Sequence, residues 1–318
     1  MKITGLGLYL PPKIQTAAEL SKIINKSEDW IISKTGVKER RISEIDVDKM
    51  GAIAAKKALQ NRTPDLIINA SGVGRQVIPD TSVFFQKELQ LEGIPSFSIH
   101  STCLSFLVAL KTANEYLSNN TFNKILIISA DRGTRGRNFK EPESAALLGD
   151  GAAAVFLEKS NPEEESCLEY WKMKTFSSGA QLTEVRGGGT KLHPQDKDTR
   201  LDDNLFTMDG PKIYKLARKK IYLMLLEMMK ENRIKQKDIN LVIPHQASIS
   251  AIEAYITYGR FKHDQVINII SKTGNCVAAS LPMALATAYN DGKINRGDRL
   301  YLTGTGAGLS IITALLKF

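Results

Sequence analysis

Short apolar runs alternate with longer helix-like segments along this chain of 318 residues. Residues 65–70 (DLIINA), 124–129 (KILIIS) and 152–157 (AAAVFL) are typical of short buried strands. Residues 48–59, before the first of these runs, and residues 104–117, before the second, have the length and periodicity of helices. This alternation predicts an α/β protein in which helices flank a mostly parallel sheet.

The second half of the chain repeats this order of elements. Residues 212–230 and 278–289 predict helices, and residues 240–243, 266–270 and 299–303 predict strands. Each half also has a similar glycine turn before its last strand, GDGAAAVFLE in the first half and GTGAGLSIITALL in the second. A repeated element order with a repeated turn predicts two copies of one α/β unit.

We place the boundary between the two units in a polar stretch that contains a proline. This stretch is KSNPEEE, residues 159–165. The predicted division is therefore a first half of residues 1–160 and a second half of residues 161–318. The segment 175–209 is rich in glycine and charge without clear periodicity, and a long irregular insert of this kind is usually functional or mobile.

The composition predicts a globular protein of the cytoplasm. Hydrophobic residues make up 42% of the chain and charged residues 24%, close to the average for globular proteins. No apolar run approaches the 18 residues that a membrane-spanning helix needs. The first residues carry one lysine and a short apolar run broken by Pro11 and Pro12, which does not resemble a signal peptide.

The chain has a net charge of +9, from 43 Lys and Arg against 34 Asp and Glu. Such a surface favours anionic partners, among them nucleic acid, a phosphate-bearing cofactor such as coenzyme A, or an acidic carrier protein. It is equally typical of a solvated lysine-rich surface. Neither zinc-finger spacing nor an aromatic RNA-binding motif is present, so we expect no nucleic-acid partner.

Three cysteines, Cys103, Cys167 and Cys276, form no CxxC pair, so we expect no metal site. Cys103 comes directly after a predicted strand and opens a predicted helix. The positive end of a helix dipole lowers the pKa of a thiol and raises its thiolate fraction. Cys103 is therefore a candidate nucleophile, while the alternative is a small residue at a strand–helix junction.

Two further polar residues occupy similar junctions. His245 ends a predicted strand in LVIPHQAS, where it is either a turn residue or a catalytic group. Asn275 precedes an alanine-rich helix in KTGNCVAAS, where capping of that helix is the alternative role. Cysteine, histidine and asparagine at three junctions suit nucleophilic acyl transfer. The N–H of Cys103 and the glycine-rich turn 304–308 could supply the donors for an oxyanion.

With these residues in place, nearly the whole chain resembles the β-ketoacyl-ACP synthase III group of the thiolase superfamily. Each matching segment is moderately specific, and all of them occur in the family's order and spacing. The segments are Glu28-Asp29-Trp30-Ile31, Lys34-Thr35-Gly36-Val37-Lys38-Glu39-Arg40-Arg41, Cys103, Gly149-Asp150-Gly151-Ala152, Met208-Asp209-Gly210, Pro244-His245-Gln246-Ala247-Ser248, Gly274-Asn275, Ala278-Ala279-Ser280 and Gly304-Thr305-Gly306-Ala307-Gly308.

The resemblance implies a thiolase-like fold of two pseudo-symmetric halves in αβαβα layers, in a homodimer. It implies that Cys103 takes an acyl group from an acyl-CoA. His245 and Asn275 would hydrogen-bond the carbonyl of a second, malonyl- or β-ketoacyl-type thioester, which attacks the acyl group in a Claisen condensation. The N–H groups of Cys103 and Ala307 would form the oxyanion hole.

The resemblance also implies binding residues and partners. An acyl-CoA is a substrate and an acyl carrier protein a further partner, with no permanently bound cofactor. Arg40 and Arg41 would lie near phosphate groups at the entrance, and Ile78 would reach the acyl pocket of the partner subunit. The residues implied in substrate and coenzyme A binding are Trp30, Lys34, Thr35, Ala247 and Ser248.

Two departures from the family pattern separate this chain from fatty-acid-initiating members. Ser248 stands where those members carry Asn, and Pro142 falls near the place of an Arg that stacks on adenine. We therefore expect a relation closer to members acting in specialised pathways. Two other functions stay open: an acyltransferase to an alcohol or amine, and a non-catalytic subunit of a heterodimeric synthase.

Overall fold

The computed structural model describes residues 1–161 and 163–318, which form two main β-sheets and the helices around them. The strands are β1 (Lys2–Tyr9), β2 (Lys13–Thr16), β3 (Glu39–Ile42), β4 (Leu66–Asn69), β5 (Ser96–Ser98), β6 (Lys124–Arg132), β7 (Asp150–Glu158), β8 (Cys167–Thr175), β9 (Thr183–Glu184), β10 (Thr207–Met208), β11 (Leu241–Pro244), β12 (Arg299–Gly306) and β13 (Ser310–Lys317). The α-helices are α1 (Ala17–Ile24), α2 (Glu28–Thr35), α3 (Val47–Leu59), α4 (Thr81–Glu88), α5 (Ser105–Ser118), α6 (Pro142–Leu147), α7 (Gly210–Glu231), α8 (Ile249–Thr257), α9 (Ile270–Thr273) and α10 (Ser280–Asn290).

The two main sheets share one topology. The first has the strand order β1-β7-β6-β4-β5, and the second has the order β8-β13-β12-β11. In each sheet the first two pairings in this order are antiparallel and the third is parallel. The repeat predicted from the sequence therefore reappears as a repeat of strand order and direction.

Helices lie between the sheets and outside them. In the central layer, α5 packs on β6 and β8, while α10 packs on β1, β7 and β11. α3 covers the outer face of the first sheet, and α7 covers the outer face of the second. One apolar cluster joins both sheets to α5 and α10, and separate clusters lie under α3 and under α7 and α8. This is the predicted αβαβα order of layers.

The expectation of a mostly parallel sheet is wrong. Within the described residues, the parallel pairs are β4–β5, β4–β6 and β11–β12, while β1, β7, β8 and β13 pair in antiparallel fashion. The sequence pattern assigns no strand to β1, whose apolar alternation is interrupted by Gly5 and Gly7. It also misses β8, whose Lys172 and Lys174 are ion-paired with Glu227 of α7.

The strand predicted at residues 266–270 is reduced to a single parallel bridge between Val266 and Val242. The buried side chain of Gln246 takes the place of a strand partner here. Its Nε2 donates to the carbonyl of Ile267 at 3.1 Å, and its Oε1 accepts from the N–H of Ile269 at 2.9 Å. Because these backbone groups are satisfied by a side chain, the segment can turn into α9.

The exact division of the chain into residues 1–160 and 161–318 stays a prediction. β7 ends at Glu158 and β8 begins at Cys167, so the described strands fit a boundary between them. Pro162, within the predicted junction, lies outside the described residues. In the part of the chain that the structure describes, no helix is both long and apolar enough to cross a membrane.

The close approach of α3 to β1 depends on glycine. A Cβ atom on Gly7 would lie 1.9 Å from the carbonyl oxygen of Ala54, which is backbone and cannot rotate away. We expect Gly7→Ala to lower the free energy of unfolding by about 1–3 kcal/mol, because the helix must shift away from the sheet. Urea denaturation measures this. Gly189→Ala is the control, since nothing lies within 4 Å of its Cβ position, and an equal loss in both variants would contradict the packing argument.

Candidate active site

The three candidate residues all lie where secondary structure ends. Cys103 follows β5, and His245 follows β11 directly. Asn275 follows α9 and precedes a 3₁₀ turn, Val277–Ala279, that leads into α10. Since α5 and α10 are the helices of the central layer, Cys103 and Asn275 occupy corresponding positions in the two halves.

The backbone on the N-terminal side of Cys103 is held in an uncommon conformation. Thr102 has a φ of 50°, in the left-handed region that β-branched residues rarely adopt. The Ser105 hydroxyl fixes this turn, because it donates to the Thr102 carbonyl at 2.7 Å and accepts from the Ser101 N–H at 3.0 Å. α5 begins at Ser105, so the expectation that Cys103 itself opens the helix is wrong by two residues.

The expected lowering of the Cys103 pKa is also wrong. Burial raises the pKa of the Cys103 thiol to about 12, and the Asp131 carboxylate adds to the rise. The backbone N–H groups of Cys103 and Ala307 lie close to the sulfur and act in the opposite direction. Burial outweighs them, because a thiolate loses more hydration than these donors return. These are the two N–H groups that the resemblance implies for the oxyanion hole.

His245 is buried, with 4% of its surface exposed. Its backbone N–H donates to the Thr303 carbonyl at 2.8 Å. Burial lowers the pKa of its imidazole to about 4, so the ring is neutral at pH 7. Among the described residues, Nδ1 has no hydrogen-bond partner. A buried neutral imidazole with an unused nitrogen is available to a substrate.

A glycine of β12 brings the His245 and Cys103 segments together. A Cβ atom on Gly304 would lie 2.7 Å from Cβ of His245 and 3.2 Å from Cδ2 of Leu104, the residue after Cys103. Because Gly304 has no side chain, the backbone of β12 can pack closely against both segments.

The side-chain amide of Asn275 has a fixed orientation. Its Oδ1 accepts from the N–H of Val277 at 2.8 Å and from the hydroxyl of Ser280 at 3.3 Å. Its Nδ2 lies 3.4 Å from the carbonyl of Ala247, two residues after His245. Asn275 thus caps the turn before α10, as the alternative reading of the sequence proposed, and it also presents an N–H donor beside the His245 segment.

Asp131, at the end of β6, is a site residue that the sequence analysis missed. Its carboxylate is fully buried and accepts from the N–H groups of Gly72, Val73 and Ala279 at 2.9–3.1 Å. Burial raises the pKa of Asp131 to about 7, although these hydrogen bonds lower it. The residue joins the 71–80 loop to the turn that follows Asn275. Only the fold brings these partners together, so the sequence carries no local signal for it.

A cavity of about 410 Å³ lies beside these residues. Four of the five residues expected to bind substrate line it: Lys34, Thr35, Ala247 and Ser248. Trp30 does not line it, and instead lies half-buried on α2 with the Lys26 ammonium 5.4 Å from its ring centre.

The two arginines expected at the entrance are not free surface charges. Arg40 is fully buried and donates to the carbonyl of Ala146 at 2.6 Å, at the end of α6. Burial lowers its pKa to about 10. Arg41 is half-buried and lies 3.7 Å from a carboxylate oxygen of Glu39. The prediction that Arg40 meets a phosphate group is therefore wrong, because Arg40 stabilises the C-terminus of α6 instead. For Arg41 it stays a prediction.

These groups together suit acyl transfer through a thioester. The site contains a thiol with two backbone N–H donors close to it, a neutral imidazole, and an amide donor, near a cavity. Donors fixed before the reaction stabilise an oxyanion without reorganisation. Within the described residues, no group of three or more His, Cys, Asp or Glu side chains is arranged to hold a metal ion.

Comparison with known proteins agrees with this chemistry. The model of the 3-oxoacyl-[acyl-carrier-protein (ACP)] synthase III family matches residues 97–175, and that of its C-terminal part matches residues 229–318. A β-ketoacyl-[acyl-carrier-protein] synthase III of Coxiella burnetii (strain CbuK_Q154) is 34% identical over 333 residues, which cover 99% of this chain and 98% of the relative. The chain belongs to the β-ketoacyl-[acyl-carrier-protein] synthase III family.

Solved structures of this synthase III family have the same fold. The crystal structure of 3-oxoacyl-[acyl-carrier-protein] synthase III from Aquifex aeolicus VF5 superposes with a TM-score of 0.91 at 31% identity, covering 100% of this chain and 99% of that one. A priming β-ketosynthase of the R1128 polyketide pathway, at 24% identity and a TM-score of 0.90, covers 99% and 95% and shares the fold. The predicted thiolase-like fold is thereby confirmed, while a closer relation to specialised-pathway members stays a prediction.

The pKa of Cys103 has a measurable consequence for this synthase III family member. With Cys167 and Cys276 changed to serine, alkylation of Cys103 by iodoacetamide reports its thiolate fraction. Because burial raises the pKa to about 12, we expect the rate to rise about tenfold per pH unit from pH 7 to pH 10 without a plateau. A plateau below pH 9 would show that α5 and the two N–H donors outweigh burial.

Proposed function

We propose that this enzyme loads an acyl group from a coenzyme A thioester onto Cys103. The sulfur attacks the thioester carbonyl, coenzyme A leaves as its thiolate, and the proton of the Cys103 thiol goes to that leaving sulfur. The observation that carries the proposal is the pair of backbone N–H groups, from Cys103 and Ala307, that lie close to the reacting sulfur and lower its pKa. Donors at that point also stabilise the oxygen of the tetrahedral intermediate.

The second step is a Claisen condensation with a malonyl- or β-ketoacyl-type thioester. For a malonyl thioester, loss of CO2 leaves an enolate, whose oxygen accepts hydrogen bonds from His245 and from Nδ2 of Asn275. The enolate carbon attacks the acyl carbonyl, and the Cys103 sulfur leaves. A neutral His245 has one N–H, and placing it on Nε2 avoids a buried donor without an acceptor at Nδ1.

The cavity supports a thioester on a pantetheine arm as the substrate form. Lys34 is exposed at its rim, while Thr35, Ala247 and Ser248 line its wall. The net charge of +9 also favours anionic partners, which include both coenzyme A and an acyl carrier protein. Since the thiol, imidazole and amide are all present and held in place, the arrangement favours an active enzyme over a non-catalytic subunit.

The assignment of roles is tested by separating acylation from condensation. Mass spectrometry of the intact protein after incubation with an acyl-CoA should show one acyl adduct, which Cys103→Ala abolishes and Cys167→Ala retains. His245→Ala and Asn275→Ala should still form the adduct but lower the condensation rate by about 100-fold or more, because the enolate loses a donor.

Adducts on Cys103→Ala would contradict the nucleophile. If His245→Ala and Asn275→Ala lost acylation and kept normal decarboxylation of the malonyl thioester, the division of roles would be wrong. An acyltransferase to an alcohol or amine would form the adduct but no carbon–carbon product when both thioesters are supplied.

We further propose a homodimer in which Ile78 reaches the acyl pocket of the partner subunit. Ile78 is 81% exposed, and Val73 and Val77 in the same loop are 64% and 87% exposed. Several exposed apolar side chains in one loop are typical of an interaction surface. The hydrogen bonds of Asp131 to Gly72 and Val73 fix the base of this loop.

Ile78→Phe should shorten the acyl chains that the enzyme accepts. A larger ring at the pocket end excludes terminal methylenes, each worth about 0.8 kcal/mol or about a fourfold change in rate, so long acyl-CoAs should lose acylation rate selectively. Acylation rates with acyl-CoAs of graded length measure this, with Ile23→Phe, an exposed isoleucine of α1, as the control. Uniform loss at all lengths, or a monomer by light scattering, would overturn the proposal.

A further inference from the structure

The residues that line the cavity fall into two sets with different chemistry. Lys34, Thr35, Glu143 and Ser248 form a polar set. The other set comes largely from two helices, α7 and α8, and it is mostly apolar, with Arg218 and Ser250 among its polar members. The proposed function uses the polar set, and it leaves the apolar set without a role.

The apolar set consists of two facing stripes. On α7 the lining includes Ala217, Ile221 and Leu225, which are four residues apart and therefore share one side of the helix. On α8 it includes Ala254 and Tyr255. Leu225 and Tyr255 are 2% and 5% exposed, so this part of the cavity reaches into the core. We call the space between these stripes the α7–α8 cleft.

Small side chains open the cleft. Alanine stands at positions 217, 251 and 254, where larger apolar residues would fill the space between two packed helices. The phenol of Tyr255 lies near Thr303, and the neighbouring wall residues Ala217, Ile221, Leu225 and Ala254 carry no polar side-chain atom. An apolar space with few polar partners holds water poorly and takes hydrocarbon well.

The cavity that contains the cleft extends toward the reaction site, although Cys103, His245 and Asn275 do not line it. Thr305 and Ala247 line the same cavity, and they lie two residues from Ala307 and His245 respectively. A pantetheine arm carries amide groups that need polar partners, so it fits the polar set better than this wall. A hydrocarbon chain attached near the thioester carbonyl could enter the cleft while the arm leaves along the polar set.

We propose that the α7–α8 cleft binds the hydrocarbon chain of the second substrate, which is then a 3-oxoacyl thioester rather than a malonyl thioester. This inference rests on the proposed function. In the step it implies, a bond forms between C2 of the 3-oxoacyl thioester and the acyl carbon, and the bond from that carbon to Cys103 breaks. The proton lost from C2 ends on the Cys103 sulfur, so no further reactant is needed.

Binding of S-alkyl pantetheines tests the cleft without any reaction, because a thioether cannot acylate Cys103. Calorimetry with ethyl to decyl homologues should show Kd falling with chain length, by up to about fourfold per methylene, the fold-change that about 0.8 kcal/mol gives. In Ala254→Phe the ring fills the cleft, so the dependence on length should disappear. Lys219→Phe, which adds the same ring on the exposed side of α7, should keep it.

Tyr258→Ala gives a second test that does not depend on tolerating a larger residue. Tyr258 lines the outer part of the cavity, is 44% exposed, and its hydroxyl lies 3.5 Å from Nη1 of Arg218. Removing it should extend the length dependence to longer chains. Circular dichroism confirms that each variant is folded.

Equal length dependence in the unmodified protein and in Ala254→Phe would overturn the inference, because the chain would then lie elsewhere. No length dependence in the unmodified protein would overturn it too. Adduct formation on Cys103, and condensation with malonyl-pantetheine or with a 3-oxoacyl-pantetheine, test the proposed function separately. Failure of those reactions with the length dependence intact would reject the proposed function and leave a hydrocarbon-binding cleft.

Discussion

The central strands of the two main sheets are buried between layers of helices, and this burial decides where polar chemistry can occur. β7 is buried over its first eight residues, with α3 on one face and α10 on the other. A polar side chain in such a strand needs a buried partner, or it destabilises the fold. Cys103, His245 and Asn275 avoid this cost because each lies beyond the end of a strand or helix, where the layers open.

The same burial keeps the thiol and the imidazole of the candidate site uncharged. It raises the pKa of Cys103 to about 12 and lowers that of His245 to about 4, so both groups are uncharged at pH 7. In the proposed reaction, the negative charge of the substrate then develops beside N–H donors that are already in position. A site of this kind stabilises oxyanions without holding a permanent ion pair, whose desolvation would be unfavourable in the core.

Much of the fold could be predicted because apolar periodicity reports buried strands and helices directly. β6, α3 and α7 match their sequence patterns closely. The patterns failed where other residues dominate: Gly5 and Gly7 interrupt β1, and the side chain of Gln246 replaces a strand partner for residues 267 and 269. Neither effect can be read from local periodicity.

In the candidate site, too, some residues could be found from the sequence and others could not. The motifs around Cys103, His245 and Asn275 pointed to the proposed reacting groups from their neighbours in sequence. Asp131 and the burial of Arg40 could not be found, because their partners are 59 and more than 100 residues away along the chain. The sign of the Cys103 pKa shift failed for a related reason. The helix dipole is a local property, whereas burial depends on the whole fold.

The pairing of β1 with β7, and of β8 with β13, bears on how this chain is made. Each sheet joins a strand from the start of its half to one from the end, so neither sheet is complete until nearly its whole half has left the ribosome. The inner side of α5 stays exposed for longer, because it packs on β8, which is synthesised later. There Nε1 of Trp171 donates to the Leu107 carbonyl at 2.9 Å. Such distant pairing is slow and leaves apolar surface open to aggregation during synthesis. The two halves repeat one topology, but they must fold together.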